Sequence, residues 1–243
     1  DIGIGLDVRN GLEPEMAIPE ALNYELWQAP AEPHPYTEKR VHPAEGYGRP
    51  GWLRIREYTH GMVTGWGSHH MDIAHWGLGE EYSGPVKIEG WGDYPDPKEN
   101  LHDVHMDFHI TYTYKSGALV RFSNNKTYRQ GVTFTGTDGV IHVQRGSIDS
   151  NSANLLDADH SQFGVKLYES NSHKGNFLDC IKSRETPITP VEIGHRSNTA
   201  CVLGSIAMEV NRPIAWDPET ETIPNDPEAS KLLNKKLRDV PRD

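Results

Sequence analysis

"DVHMDFHITYTYKSGALVRFSNN", residues 103–125, decides the fold class. Val104, Met106, Phe108 and Ile110 fall on one side of an extended chain, and Asp103, His105, Asp107 and His109 on the other. This alternation predicts a strand with one buried face. Ser116-Gly117 then makes a tight turn into a second strand, "ALVRFSNN". Working outward, "PVKIEGWG" (85–92) alternates Val86, Ile88 and Gly90 before this pair. After it, "GVTFTGTDGVIHVQRG" (131–146) reads as two short strands around Thr137-Asp138-Gly139, and "GVKLYES" (164–170) as a further one. A meander of this kind gives an antiparallel sheet with one face buried and the other solvated or covered by a partner. The polar row Asp103, His105, Asp107, His109 is read first as a solvated sheet face and second as a subunit interface.

Helical periodicity takes over elsewhere. "SHHMDIAHWGLG" (68–79) offers Ser68 as N-cap and Gly79 as the residue that ends the helix. "GNFLDCIKSR" (175–184) places Phe177, Leu178 and Ile181 on one side and closes on basic residues, as the helix dipole favours. "HRSNTACVLGSIAMEV" (195–210) carries Leu203, Ile206, Ala207 and Val210 at helical spacing, and "DPEASKLLNKKLRD" (226–239) opens with Asp226 and Pro227 as cap and first turn. Strands in a run with helices on either side give an α+β fold. Residues 12–51, rich in Pro and Glu, form a long excursion within one domain spanning 1–243. In that excursion "PEALNYELW" (19–27) makes a turn or two of helix anchored by Trp27.

Bulk properties narrow the function. The formal charge of -11 argues against a nucleic-acid surface, which needs clustered Lys and Arg. No apolar run is long enough to span a bilayer, and the N-terminus is not signal-like. A soluble protein is expected, with the compartment, cytoplasm or periplasm, left open. The two cysteines, Cys180 and Cys201, form no C-x-x-C pair, so no zinc knot or disulfide framework is expected. "GIGLDV" (3–8) has two glycines of a dinucleotide-binding loop but Val8 at the third position.

"GMVTGWGSHHMDIAHWGLG" (61–79) concentrates the chemistry. With a helix starting at Ser68, His69 sits in its first turn, and Asp72, Ile73 and Trp76 follow on the same face. A neutral imidazole held there can accept a proton from a substrate hydroxyl; an ordinary capping or hydrogen-bonded histidine is the plainer reading. His70 points about 100° away around the helix, so the adjacent pair cannot share one site. His75 is placed on another side, at the surface. The spacing does not match H-E-x-x-H, and no metal site is expected.

The same stretch, followed by "SGPVKIEG", resembles the substrate-domain signature of the glucose–fructose oxidoreductase/inositol dehydrogenase (Gfo/Idh/MocA) family. Gly67, His69 and Asp72 stand where the family pattern G-x-H-x-x-D opens a helix. "NFLDCIKSRETPITPVEIGHRSNTACVLGSIAMEVNRPIAWDPETE" and "PEALNYELWQAPAEPHPY" are similar to blocks of the family's bacterial branch, in the same order. The resemblance implies a large, mostly antiparallel open sheet with helices on one face, the C-terminal half of an oxidoreductase. The family's N-terminal Rossmann domain and its Glu-Lys-Pro motif are not found in this sequence; "EKR" (38–40) is no match. NAD or NADP is therefore expected in the full-length enzyme and none on this chain alone.

The resemblance further implies His69 as base or proton relay at a substrate carbinol and Asp72 as a contact to substrate hydroxyls. Arg54, Tyr58, Arg129 and His195 are the other expected substrate-binding residues. Where many relatives carry an aspartate four residues before the histidine, this chain has Gly65. The expected function is the substrate-binding domain of an NAD(P)-dependent oxidoreductase acting on a sugar, polyol or glycoside, self-associating through its sheet face. Two rivals remain: a non-catalytic carbohydrate-binding or scaffold module, and a metal-dependent hydrolase or lyase using His69, Asp72 and His195.

Overall fold

The computed structural model describes residues 1–42, 51–157, 159, 164, 167–235 and 237–239. The opening stretch lies at the heart of an eight-stranded sheet. Strands β2 (Pro85–Gly92), β3 (Phe108–Tyr114) and β4 (Leu119–Asn124) pair antiparallel in sequence. In β3 the residues Phe108, Ile110, Tyr112 and Tyr114 are buried, and His109, Thr111 and Thr113 stand on the opposite, more open side. Gly117, at φ 89°, closes the turn to β4 by donating its N–H to the Tyr114 carbonyl at 3.0 Å.

The strand is shorter than its alternation suggests. Residues 103–107 form a loop, because the Asp93 carboxylate accepts the N–H groups of Met106 (3.0 Å) and Asp107 (2.6 Å) and takes that backbone out of the ladder. Asp103 accepts the Arg56 N–H at 2.7 Å, and His105 is buried edge-on to Tyr94 and Phe108. The row Asp103, His105, Asp107, His109 is thus not a sheet face; His109 alone belongs to the strand. The open face instead presents Lys87, Trp91, Leu119 and Arg121 to solvent.

Three strands were not apparent from the pattern. β1 (Ile2–Ile4) inserts between β4, to which it is parallel, and β5 (Gly131–Thr135), to which it is antiparallel. β6 (Val140–Gln144) and the unanticipated β7 (Ser147–Ser150) extend that edge, and β8 (Ile214–Ala215) borders β2 at the other. β1, β7 and β8 are two to four residues long, too short to show a period. The strand expected over 164–170 lies partly outside the described residues, and Leu167–Ser170 is not a strand.

Two helices, α3 (Trp66–Leu78) and α6 (Val191–Val210), cover one face of the sheet. They sit close because glycines meet the strands. A Cβ on Gly77 would stand 2.4 Å from the Phe134 ring, and one on Gly204 2.3 Å from the Tyr112 hydroxyl. On α3 the buried positions are Gly67, His70, Met71, Ala74 and His75. This phase differs from the expected one. Trp76, on the His69 face, is 54% exposed, whereas His75, expected at the surface, is fully buried with its Nε2 2.7 Å from the Tyr114 hydroxyl. Histidine can be buried here because the phenol satisfies one ring nitrogen.

The smaller helices are α1 (Tyr24–Gln28) and α2 (Glu38–Val41) in the Pro-rich excursion, α4 (Ala153–Leu156), α5 (His173–Ser183) and α7 (Pro227–Leu232). Each follows a local rule. Asn23, Thr37, Ser172 and Asp226 accept N–H groups of the first turns of α1, α2, α5 and α7. Trp27 stacks on Tyr24 and meets Tyr58 edge-on, the anchoring expected of it. The apolar side of α5, Phe177, Leu178 and Ile181, is exposed.

Two measurements test this packing. Gly204→Val overpacks the α6–sheet contact and is expected to cost about 1–3 kcal/mol, lowering the thermal midpoint by about 2–4 °C per kcal/mol for a domain of this size; an unchanged midpoint would contradict the close approach. Burial also lowers the pKa of His75 from 6.5 to about 4. Below pH 6.5 the unfolded chain binds a proton there that the folded chain does not, so this group's contribution falls as pH drops towards 4. In urea unfolding, His75→Gln should make the decline over that window shallower; an unaltered slope would show that His75 protonates freely in the fold.

Candidate functional site

The start of α3 is held from the N-terminal segment. The buried Asp7 carboxylate accepts the Met62 N–H at 2.7 Å and lies 3.7 Å from the buried Arg54 guanidinium. Met62 belongs to a short 3-10 turn, Gly61–Val63, that leads into the helix. Gly61 has φ 64°, and a Cβ there would stand 2.6 Å from the Asp7 carboxylate, so both backbone angle and space require glycine.

The helix begins at Trp66, two residues earlier than expected, with Gly65 as its uncapped N-cap. Ser68 is not the cap: it is already helical, and its hydroxyl donates back to the Gly65 carbonyl at 3.1 Å. His69 is the fourth helical residue, exposed, its ring tilted against Trp66 at 5.6 Å between centroids. His70 is buried towards the sheet, so the two adjacent histidines do not share a site.

Asp72, one turn after Ser68 and His69, accepts the Ser197 hydroxyl of α6 at 2.9 Å. α6 starts at Val191, which puts His195 inside the helix rather than at its start. The His195 Nε2 lies 2.7 Å from Glu221 Oε1, and Arg196 joins Glu192, Glu221 and the Pro218 carbonyl into the same surface network. Between the first turns of α3 and α6 lies a cleft of about 510 Å³, walled by Ser68, His69, Asp72, Thr189, Pro190, Val191, Ile193, Gly194, His195, Ser197 and Asn198.

Three of the six expected site residues, His69, Asp72 and His195, therefore converge. The other three are not brought to this cleft. Arg54 is engaged by Asp7, Tyr58 packs under the edge of Trp27, and the Arg129 fork is closed on Asp149 at 2.9 and 2.6 Å. Ser197, Asn198 and Thr189 escaped the sequence reading. Ser197 and Asn198 directly follow His195 and Arg196, and the interval of one helical turn within α6 was the available signal. Among the described residues no group of three His, Cys, Asp or Glu side chains comes together as a ligand set, and His195 is already paired with Glu221.

The segment at residues 3–8 does not form the strand–loop–helix turn of a dinucleotide-binding loop. No helix follows β1 until α1 at Tyr24, too far on for a strand–loop–helix turn, and Gly3 serves packing: a Cβ there would stand 2.4 Å from the Tyr128 and Arg129 carbonyl oxygens. That close backbone contact, rather than a phosphate, explains the glycine.

The chain belongs to the Gfo/Idh/MocA oxidoreductase family: residues 7–241 match the family described as "Oxidoreductase family, C-terminal alpha/beta domain". No curated protein matches the sequence. Among solved structures it is similar to the WlbA dehydrogenase from Bordetella pertussis, solved with NADH and UDP-GlcNAcA, at 16% identity and a TM-score of 0.50, covering 73% of this chain and 51% of that one. The WlbA dehydrogenase from Chromobacterium violaceum, also solved with NADH and UDP-GlcNAcA, gives 17% identity and a TM-score of 0.50, covering 73% and 52%. At this identity the likeness is one of fold, and this chain spans about half the length of those proteins. The open, mostly antiparallel sheet with helices on one face is the C-terminal domain of that fold. No helix among the described residues is long and apolar enough to cross a membrane.

The His195–Glu221 pair is exposed, so it contributes little to folding. His195→Ala is expected to shift the urea-unfolding free energy by less than about 1 kcal/mol; a larger loss would make His195 a structural residue rather than part of a ligand-accessible wall.

Proposed function

We propose that this domain binds the hydroxylated substrate of an NAD(P)-dependent oxidoreductase acting on a sugar, polyol or glycoside. The observation that carries the reading is the convergence of His69 and Asp72, from one helix start, with Ser197 and His195 of α6 around a single cleft. In this reading His69 accepts the proton of the hydroxyl being oxidised. Asp72, already oriented by Ser197, holds a neighbouring hydroxyl through its remaining acceptor capacity. The Thr189 and Asn198 side chains add short polar contacts, and Pro190, Val191 and Ile193 supply apolar wall. NAD or NADP belongs to a nucleotide-binding domain that the described residues do not form. A second copy is proposed to pack on the open sheet face, where Trp91 and Leu119 are exposed.

A non-catalytic carbohydrate-binding module is the second reading, and one observation favours it. Among the described residues nothing hydrogen-bonds the His69 ring, and Gly65, one turn earlier, cannot supply the carboxylate that would orient it.

Binding of a panel of sugars and polyols by calorimetry separates the two. The enzyme reading expects His69→Ala and Asp72→Ala each to weaken the best ligand, and expects turnover with a nucleotide-binding domain to fall about 10²–10⁴-fold in His69→Ala. Ligand binding and turnover both unchanged in His69→Ala would remove it. NADH and NADPH titrated into the 243-residue chain are expected to show no stoichiometric binding; saturation at one equivalent would sink the assignment of the cofactor to another domain.

A further inference from the structure

A second cavity, of about 650 Å³, shares no residue with the His69 cleft. It lies between Leu12 and the 32–40 part of the Pro-rich excursion, the turn at Ile55–His60, the loop at Pro97–Asp103, the C-terminal half of α6 and the end of α7 with the residues that follow it. Its volume is in the range of small-molecule sites, about 300–1,000 Å³. We propose that this cavity is a separate binding site for a small hydroxylated carboxylate, with the Arg40 guanidinium as the anchor of the carboxylate group.

Arg40 is the group that points to a ligand. Its backbone is fixed, since its N–H donates to the Thr37 hydroxyl at 3.1 Å at the start of α2. Among the described residues its Nε, sealed from solvent, makes no well-formed hydrogen bond. The Tyr58 hydroxyl, which the Arg40 guanidinium contacts, is likewise sealed, and the contact between them falls short of a well-formed hydrogen bond. Burying a guanidinium N–H without an acceptor is costly, and native structures rarely leave one so. Two of the other basic groups of the wall are engaged by the protein itself. Arg56 is paired with Glu209 at 2.7 Å, and the Lys235 ammonium donates to the Arg56 and Glu57 carbonyls. Among the described residues Arg40 makes no ion pair, although a planar fork is the group best shaped for a carboxylate.

The rest of the wall selects for hydroxyls beside that carboxylate. Among the described residues it carries four acidic side chains against four basic ones. A dianionic phosphate would meet repulsion from Glu32, Glu57 and Asp103. Hydroxyl groups would instead donate to those same carboxylates. His34 and His60 both line the cavity, and burial lowers the pKa of each, that of His60 to about 4. At neutral pH they are uncharged rings able to donate at one nitrogen and accept at the other. Ile55 and Ile206 give the apolar floor for a ring carbon face.

The test is calorimetric titration of the full chain with D-glucuronate, with D-glucose as the neutral control, and ring-proton NMR of the histidines alongside. Glucuronate should bind at least about ten-fold more tightly than glucose and lose at least about ten-fold in Arg40→Gln. Arg40→Lys, which keeps the charge and loses the fork, should fall between. The His34 and His60 signals should shift on addition while those of His69 and His195 stay, and His69→Ala should bind glucuronate as the unaltered chain does. Because the shifts are read on unaltered protein, an Arg40 variant that fails to fold does not block the test. Equal binding of glucose and glucuronate, no binding at millimolar glucuronate, or shifts confined to His69 and His195 would each overturn the proposal. The last result would place the ligand in the first cleft and leave the oxidoreductase reading standing.

Discussion

The buried Asp7 carboxylate is the joint on which the rest of this molecule turns. One oxygen takes the Met62 N–H and the other faces the Arg54 guanidinium, and none of the three groups has ready access to water. A buried charge is tolerated when it is paired and hydrogen-bonded, and removing one partner leaves the other stranded. The joint lies three residues beyond β1, whose Ile2 and Ile4 are wholly buried between β4 and β5. It therefore ties the middle of the sheet to the turn that launches α3. The direction of α3, and with it the positions of His69 and Asp72, follows from that tie.

The second constraint is the distance between helices and sheet. Gly77 and Gly204 remove the side chains that would hold α3 and α6 away from Phe134 and Tyr112. With both helices seated low, their first turns come near enough for Ser197 to donate to Asp72. The cleft is the gap left where the two helix starts diverge from that bond. Its polar groups are thus positioned by packing several turns away, a more rigid support than a loop would give.

Much of the fold could be read from local pattern. The alternation through 108–110, the Gly117 turn, the strand pair around Thr137–Gly139, the short helix within 19–27 and the helix capped at Asp226 all follow from short-range rules, and the structure contains each. The site was legible in part for the same reason. His69 and Asp72 lie on one helix, three residues apart, and helical geometry alone puts them on one face. His195 could be named as a polar residue near a helix start, but not joined to them, because it lies 123 positions beyond Asp72 in the chain. Arg54 and Arg129 looked available for a ligand because their carboxylate partners, Asp7 and Asp149, are distant in sequence or on a strand too short to recognise.

By itself the sequence determined the periods: which segments are extended, which are helical, where turns and caps must fall, and that one helix start carries a histidine and an aspartate on a shared face. Those are consequences of bond geometry and of hydrogen bonds a few residues long. Tertiary structure decided the phases and the endings. It buried His75 and exposed Trp76, because a phenol from β3 was there to satisfy the imidazole. It stopped the strand alternation at Phe108, because Asp93 captured the N–H groups just before it. It also placed β1 in the centre of the sheet, where a three-residue segment survives because both its edges find partners far along the chain. In each case a buried polar group had to find its partner, and that partner lay at a distance no local pattern records.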